Sequence, residues 1–336
     1  MDPCHGINAR LQTLQLREPF RIAHGVSTER KVVRVVKGGA VGEAPFVPYY
    51  QDDPDETLKS LGGIKCLDDV LPKGASRAAR LALSMLQHDA AARHADLPLW
   101  QHLELPDPRG RDACRSIGIP TSLATFRARI GDITRQFHML KLKLGSGDLE
   151  HDAAIVAAAR EVAPYAVLTA DVNGGWTPAE AALMIPRLQA FRLALLEQPV
   201  SHKLGLEGWR ELRERMPGTS MPLFADESVQ NVEALAEWAP LVDGVVVKLL
   251  KCAGIAEAVH MMKTARSLRK LVLLSCMIES SVGITAAAHL AGLADFIDLD
   301  GHLYVANDDG IGVRYDADGR LRLPPDSGIG VQPRTP

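Results

Sequence analysis

The feature that most constrains the fold of this chain is a regular alternation of short apolar runs with longer amphipathic stretches, which continues to about residue 300. The stretches between the runs have the 3.6-residue period of helices, so the runs are predicted to be strands. The predicted strands cover residues 119–124, 139–144, 166–171, 193–197, 223–226, 244–248, 271–276 and 296–300. Apolar strands that alternate with helices are typical of a parallel sheet buried on both faces. Eight of them favour a closed βα barrel.

The N-terminal third has a different pattern. Short apolar runs at 11–16 and 31–37, with Gly38-Gly39 before 40–44, indicate a strand-turn-strand unit, and helical patterns begin near Asp55 and cover 76–94. A single core rarely grows past about 250–300 residues, so a chain of this length predicts two domains. We expect an α+β domain at 1–115, the barrel at 116–303, and a tail at 304–336 that packs back on the first domain. The segment 116–135 leaves room for only a short element.

Composition excludes several classes of protein. The chain has 38 Lys+Arg against 41 Asp+Glu, so no basic excess points to nucleic acid or an anionic membrane. The uncharged stretch 280–294 is too short for a bilayer, which needs about 20 residues. The five cysteines, at positions 4, 66, 114, 252 and 276, are scattered and form no C-x-x-C pair. They favour a reducing, cytoplasmic location.

Three acidic residues stand at the ends of consecutive predicted strands. Asp171 precedes Glu197 by 26 residues, and Glu197 precedes Asp226 by 29, each about one strand-helix repeat. Equal phase in successive repeats predicts that the three carboxylates lie side by side at the C-terminal mouth of the barrel. Converging carboxylates repel one another unless a cation lies between them. An all-oxygen set suits Mg²⁺, with Mn²⁺ as a substitute, better than zinc.

Lysines point to the chemistry of the predicted site. Lys141 and Lys143 share one face of the second strand, where burial is costly unless they meet anions or a polar cavity. Lys248 ends the sixth strand, opposite the second in an eight-stranded barrel. An exposed edge strand and a strand-end lysine that reaches solvent are the alternative interpretations. With a metal that binds a substrate carboxylate, one lysine removes the α-proton and the opposed lysine returns it, as in a racemase or epimerase.

The segments K-L-K-L-G, D-V-N, E-Q-P, A-D-E-S and V-V-V-K resemble the enolase superfamily, specifically its muconate-lactonizing subgroup, over nearly the whole chain. The resemblance implies an α/β fold: a (β/α)₇β modified TIM barrel with an N-terminal α+β capping domain, and one Mg²⁺ per subunit. It implies metal ligands at Asp171, Glu197 and Asp226, acid/base lysines at Lys143 and Lys248 with Lys141 as electrostatic partner, and supporting residues at Asn173 and Glu227.

One segment indicates the branch of the superfamily. Asp298-Leu299-Asp300-Gly301 resembles the D-x-D of dipeptide epimerases, which holds the ammonium group of the substrate, although both acids could instead cap the following turn. Met277 and Glu279, in C-M-I-E-S, and Thr121 resemble the same branch and are predicted to bind substrate. The implied reaction inverts the α-carbon of the C-terminal residue of an L,L-dipeptide.

Other activities of the superfamily are the alternatives. An o-succinylbenzoate synthase, a muconate cycloisomerase or an N-acylamino-acid racemase would share the metal and the lysines. Their substrates carry no ammonium group, so the paired aspartates at 298 and 300 would be unexplained. A barrel that only binds ligands is disfavoured because all three acids and all three lysines are present.

Loops of the first domain are expected to contact the other side chain of the substrate. Superfamily members that act on Ala-Glu often carry an arginine near the position of His24, and this difference argues against Ala-Glu as the substrate. The Asp52-Asp53 pair favours a cationic side chain through complementary charge, or else it forms a solvated turn before a helix. Barrels of this kind often form homo-oligomers, but the sequence contains no interface signal.

Overall fold

The protein, described here by a computed structural model over residues 6–334, begins with an antiparallel sheet. Cys4 lies outside the described residues. The sheet has the order β1-β2-β3, and its strands are β1 (Asn8–Ile22), β2 (Gly25–Lys37) and β3 (Ala40–Pro45). Three helices follow: α1 (Pro54–Gly62), α2 (Arg77–His94) and α3 (Leu99–His102). Ser76 Oγ accepts the Ala79 N–H at 3.0 Å and so fixes the start of α2, whose apolar face is buried.

Eight parallel strands in sequential order form the barrel. They are β4 (Cys114–Ile117), β5 (Met139–Lys143), β6 (Val167–Asp171), β7 (Leu196–Glu197), β8 (Leu223–Ala225), β9 (Gly244–Val247), β10 (Leu271–Ser275) and β11 (Phe296–Asp298). Helices between them are α4 (Leu123–Ile133), α5 (Leu149–Val162), α6 (Pro178–Gln189), α7 (Gly205–Arg215), α8 (Val232–Trp238), α9 (Leu249–Cys252), α10 (Ile255–Ser267) and α11 (Ser281–Ala288). This order confirms the predicted (β/α)₇β barrel.

Strand alternation divides the barrel interior into an apolar floor and a charged upper layer. Leu195, Phe224, Val246 and Leu273 are buried together, with Phe296 packed against them. The residue two positions after each of these is polar and buried: Glu197, Asp226, Lys248, Ser275 and Asp298. Because side chains two positions apart lie on the same face of a strand, the same apolar run that fills the floor also places a functional group at the mouth.

The first barrel strand was predicted wrongly. It covers Cys114–Ile117 rather than 119–124, and the prediction of only a short element before β5 is also wrong, because α4 has 11 residues. Arg115 and Ser116 make this strand look like a loop in sequence. Both are partners of acids at the end of the barrel, since Ser116 Oγ donates to Asp298 at 2.8 Å and Arg115 pairs with Asp300 at 2.9 Å.

The tail forms two small antiparallel pairs, β12 (Gly310–Ile311) with β15 (Gln332–Pro333) and β13 (Arg314–Tyr315) with β14 (Leu321–Arg322). It contacts the first domain, where Ala306 N donates to Gln15 O at 2.7 Å and Leu99 N to Gly328 O at 2.8 Å. It also contacts the barrel, since the Tyr315 hydroxyl donates to Leu299 O at 2.7 Å. Within residues 6–334, no helix has the length and apolar character needed to cross a membrane.

A buried ion pair of the first domain is hydrogen-bonded to a serine of the barrel. Arg34 Nη2 lies 2.6 Å from Glu43 Oε2 and 2.9 Å from Ser280 Oγ, and the Ser280 N–H donates to Glu43 Oε1 at 3.0 Å. Arg34 also pairs with Asp309 of the tail. We refer to Arg34, Glu43 and Ser280 as the interdomain cluster. It ties β2 and β3 to the N-terminus of α11, directly after the loop that follows β10.

Replacing Arg34 with methionine should destabilise the protein by about 3–5 kcal/mol, because Glu43 would remain as a buried charge without its cation. Urea denaturation of both proteins would measure the difference. Arg187→Met is the matched control, since its partner Glu150 is a mostly exposed carboxylate and such surface pairs contribute about 1 kcal/mol or less. An equally small loss of unfolding free energy for Arg34→Met would show that the interdomain cluster does not hold the first domain and the barrel together.

Candidate active site

The three predicted metal ligands occupy neighbouring strand ends. Asp171 ends β6, Glu197 ends β7, and the two residues are paired in the sheet register. Asp226 follows β8 directly. All three side chains are fully buried. The structure therefore brings these carboxylates to one place at the C-terminal ends of the strands.

Lysine ammonium groups contact all three acids. Lys141 Nζ lies 2.7 Å from Glu197 Oε2 and 3.6 Å from Asp171 Oδ2. Lys143 pairs with Asp171, and Lys248 Nζ lies 2.5 Å from Asp226 Oδ2. Three strands, β6 to β8, separate β5 from the strand before Lys248. Lys143 and Lys248 thus approach the acids from opposite sides of the barrel.

The pKa values in this layer follow the balance of burial and charge. Burial raises the pKa of Glu197 well above its usual value, and the nearby Asp171 carboxylate adds to the effect. For Asp171, burial opposes ionisation, but the ammonium groups of Lys143 and Lys141 outweigh it and lower the pKa to about 2. Burial also disfavours the charged form of Lys141, but Asp298, Glu197 and Asp171 raise its pKa well above the usual value. The lysines therefore favour the ionised form of Asp171, whereas burial dominates at Glu197.

The chemistry of the donor set fits a hard divalent cation. No group of three His, Cys, Asp or Glu side chains within the described range has its donor atoms already gathered around a point, because the lysines lie against the acids. Glu197 Oε1 is nonetheless buried, and no hydrogen-bond donor of the described chain reaches it. A buried carboxylate oxygen in this position favours a cation. Three carboxylates without nitrogen or sulfur suit Mg²⁺.

Asn173 and Glu227, which were predicted to support the metal ligands, lie beside the acids. The Asn173 N–H donates to Asp171 Oδ1 at 2.8 Å, and its side-chain Nδ2 donates to Glu227 Oε1 at 3.3 Å. Burial first, and then the charges of Asp226 and Asp171, raise the pKa of Glu227 to about 7. Asn173 also lines the cavity described below. These contacts orient Asp171 and link the loops after β6 and β8.

Asp298 and Asp300 both line the cavity, but each also has partners within the protein. Asp298 accepts hydrogen bonds from Lys141 Nζ at 2.9 Å and from two serine hydroxyls, Ser116 at 2.8 Å and Ser275 at 3.0 Å. Through Oδ2, Asp300 accepts from Arg115 at 2.9 Å, the Ser116 N–H at 2.7 Å and the Tyr304 hydroxyl at 3.3 Å. Burial raises the pKa of Asp300 to about 6, against the opposing effect of Arg115.

A cavity of about 680 Å³, including its opening to solvent, lies between the first domain and the barrel mouth. Its first-domain side consists of Phe20, Ile22, Ser27, Arg30 and Val47. On the barrel side the lining residues include Lys143, Lys248, Asp298, Asp300, Met277, Ile278 and Tyr304. The two lysines and the two aspartates therefore face the same space, which is roofed mainly by apolar side chains. Met277, which was predicted to bind substrate, is among these lining residues.

Several residues predicted to bind substrate lie elsewhere. Thr121 is exposed and lines a separate surface groove beside α4. Glu279 is not among the residues that line the cavity, and its Oε1 accepts the Met277 N–H at 2.9 Å; burial raises its pKa to about 8. Asp52 accepts the Arg77 N–H at 3.2 Å and the Ala78 N–H at 3.1 Å at the start of α2.

The other two loop residues also differ from the expectation. Asp53 caps α1 through the Glu56 N–H at 2.8 Å, so neither aspartate of the pair faces the cavity. The first backbone N–H groups of a helix have no partner within the helix, so they bind nearby carboxylates, here those of Asp52 and Asp53. His24 lies in the β1–β2 turn, where its side chain is only partly shielded from solvent. Partial burial lowers its pKa, and the charges of Asp171 and Lys143 act on it, so it is near the barrel mouth without lining the cavity.

Sequence reasoning missed several residues that hold the site together. Gln198 Oε1 accepts the Asp226 N–H at 2.9 Å, and Lys251 Nζ lies 3.0 Å from Asp226 Oδ1. Arg115 stacks 4.2 Å from the centre of the Tyr304 ring beside Asp300. For Gln198 and Lys251 a signal existed, since each adjoins or closely follows a predicted site residue in E-Q-P and K-L-L-K. Arg115 had none, because its partner is 185 residues away.

A (β/α)₇β barrel with three acids and two opposed lysines at its mouth is the arrangement that the resemblance to the enolase superfamily implies. Comparison with known proteins gives the same superfamily. Residues 125–336 match the family described as enolase C-terminal domain-like. The chain is 36% identical over 321 residues to the hydrophobic dipeptide epimerase of Roseobacter litoralis, covering 90% of this chain and 92% of that protein. It is 31% identical over 306 residues to the L-Ala-D/L-Glu epimerase of Bacillus subtilis, covering 82% and 81%.

A solved structure extends the likeness. The dipeptide epimerase of Enterococcus faecalis, complexed with Mg and the dipeptide L-Leu-L-Tyr, superposes with a TM-score of 0.85 at 27% identity, covering 98% of this chain and 99% of that one. The protein belongs to the enolase superfamily.

Proposed function

We propose that the protein is a Mg²⁺-dependent dipeptide epimerase, an isomerase that inverts the α-carbon of the C-terminal residue of an L,L-dipeptide. The observation that carries this proposal is the pair Lys143 and Lys248, which line one cavity from opposite strands above three buried carboxylates. Epimerisation requires a base on each side of the α-carbon. Relatives named dipeptide epimerases, one of them solved with Mg and a dipeptide, support the same assignment.

Each group of the site has a distinct part in the proposed reaction. Asp171, Glu197 and Asp226 would hold Mg²⁺, which supplies a Lewis acid for the substrate carboxylate and lowers the cost of removing the α-proton. Lys143 takes the α-proton from one face, and Lys248 delivers a proton to the other. Lys141 stays charged between Glu197 and Asp298 and helps to stabilise the negative charge that develops on the substrate.

The substrate ammonium group would bind at Asp298 and Asp300, the two acids that line the barrel side of the cavity. Phe20, Ile22 and Val47 give the roof an apolar character, which supports a hydrophobic side chain on the substrate. Asp52 and Asp53, from which a cationic side chain on the substrate was predicted, instead bind backbone N–H groups at helix N-termini. We therefore propose hydrophobic L,L-dipeptides as the preferred class.

Proton NMR in deuterium oxide with a panel of dipeptides tests the proposal. With Mg²⁺, we expect α-deuterium to enter the C-terminal residue and the L,D diastereomer to accumulate, fastest for hydrophobic side chains. N-acetylated amino acids serve as the comparison, because they lack the ammonium group. The assignment would be overturned if no dipeptide in a broad panel exchanged its α-proton, or if acylated amino acids racemised faster than any dipeptide.

Asp300→Asn should raise the KM for dipeptides by about 10–100-fold with a smaller change in kcat, because a hydrogen bond to a charged group contributes about 1.5–3 kcal/mol. Asp300 is a better test than Asp298, which also holds Lys141. Steady-state kinetics would measure the split. Asp316→Asn is the matched control, since that aspartate pairs with an arginine, Arg322, on the tail. An unchanged KM in Asp300→Asn would exclude the ammonium-binding role.

We also infer that the enzyme works in the cytoplasm on a small molecule rather than on nucleic acid. The chain has 38 basic and 41 acidic residues, so it has no excess of positive charge that would favour nucleic acid. Its five scattered cysteines, an odd number, favour a reducing compartment.

A further inference from the structure

Lys251 is a buried lysine that the proposed reaction does not use. It lies in α9, three residues after Lys248, and its side chain is fully buried. Its Nζ lies 2.8 Å from Asp226 O and 3.0 Å from Asp226 Oδ1, and it also donates to Val246 O. An ammonium group has three donors, so all of them are used. Unlike Lys248, Lys251 does not line the cavity, and no substrate group can reach it there.

The two lysines divide the carboxylate of Asp226 between them. Oδ1 is held by Lys251 from behind, and Oδ2 contacts Lys248, which faces the cavity. The main chain of Asp226 has two contacts, because its carbonyl oxygen accepts from Lys251 Nζ and its N–H donates to Gln198 Oε1 at 2.9 Å. Removing Lys251 would therefore release Oδ1 and the Asp226 carbonyl, while Gln198 would still hold the Asp226 N–H and Lys248 would still contact Oδ2.

We propose that Lys251 is a positioning residue that keeps Oδ2 of Asp226 turned toward the cavity and thereby sets the affinity for Mg²⁺. This inference rests on the proposed function, in which Asp226 is a metal ligand. The contacts behind a metal ligand commonly change metal affinity by about 10–100-fold. Charge alone would act in the opposite direction, because a buried ammonium group beside the acids repels a divalent cation. The sign of the effect therefore separates positioning from charge.

The experiment compares the full-length protein with Lys251→Met, using Mn²⁺ alone as the probe. Free Mn²⁺ is counted by electron paramagnetic resonance, and thermal unfolding is recorded without metal. We expect Mn²⁺ to bind Lys251→Met about 10–100-fold more weakly. Lys263→Met is the matched control, since it removes the same charge from the exposed face of α10 and should leave the affinity unchanged.

Tighter Mn²⁺ binding by Lys251→Met would overturn the inference, because Lys251 would then act only as a repelling charge. Unchanged affinity with a lower unfolding temperature would overturn it too, since the role would be structural. If Lys251→Met fails to fold, Lys251→Gln replaces it. Its amide is one bond too short to reach both Asp226 Oδ1 and Val246 O, so weaker binding is again expected and unchanged or tighter binding contradicts the inference. Wild-type protein that binds no Mn²⁺ would instead contradict the proposed function.

Discussion

Lys143→Ala and Lys248→Ala should each abolish epimerisation, with a loss of at least about 10²–10⁴-fold, while one half of the exchange reaction survives. Each lysine serves one face of the α-carbon, since the two residues reach the cavity from β5 and from the end of β9. A variant that retains only one base can still remove and return the proton on its own face. We therefore expect each variant to exchange deuterium into one diastereomer, and the two variants to select opposite ones.

The measurement is proton NMR in deuterium oxide, starting separately from the L,L and the L,D dipeptide. Lys203→Ala is the control, because this lysine is exposed after β7 and should leave the rate unchanged. Wild-type epimerisation by either variant, or exchange of the same diastereomer by both, would show that the two lysines do not act from opposite sides.

Glu197→Gln should remove the stabilisation that Mg²⁺ gives to the folded protein. Glu197 lies between the other two predicted ligands, and no donor in residues 6–334 reaches its Oε1. The neutral amide oxygen of glutamine is a weaker metal ligand than a carboxylate oxygen. The substitution also removes one of the carboxylates that Lys141 contacts. For the wild type, Mg²⁺ at one hundred times its Kd should add about 2.7 kcal/mol to the free energy of unfolding.

Chemical denaturation with and without Mg²⁺ measures this difference, and the variant should gain little at the same concentration. Glu161→Gln, which alters an exposed surface carboxylate paired with Arg127, should keep the full response. A wild-type protein that gains no stability from Mg²⁺ would argue against the metal site. A full response in Glu197→Gln would remove Glu197 from it.

Much of the site was predictable because it depends on strand phase. Asp171, Glu197 and Asp226 were placed together from their spacing, and the structure has them at three adjacent strand ends. Parallel strands in sequential order share one edge, so equal positions in successive repeats become neighbours in space. The lysines on β5 followed from simple alternation along that strand.

Two acids were misplaced because backbone N–H groups bind their carboxylates. Asp52 caps α2 through Arg77 and Ala78, and Glu279 folds back on its own loop. Neither competitor for these carboxylates is evident from a local pattern. The strand β4 contains the polar residues Arg115 and Ser116, whose hydrogen bonds go to Asp300 and Asp298 near the end of the barrel.

From its amino-acid order alone, this chain specifies the barrel, the charged layer above an apolar floor, and the identities of the acids and lysines in that layer. These depend on periodicity, which is a local property of each strand. Folding in three dimensions decided which polar groups remain for a ligand and which are used by the protein itself. Asp52 and Asp53 are used at helix N-termini, whereas Lys143, Lys248, Asp298 and Asp300 line the cavity. Such contacts depend on which surfaces meet in the folded chain, as for Arg115 and Asp300, which are 185 residues apart in sequence.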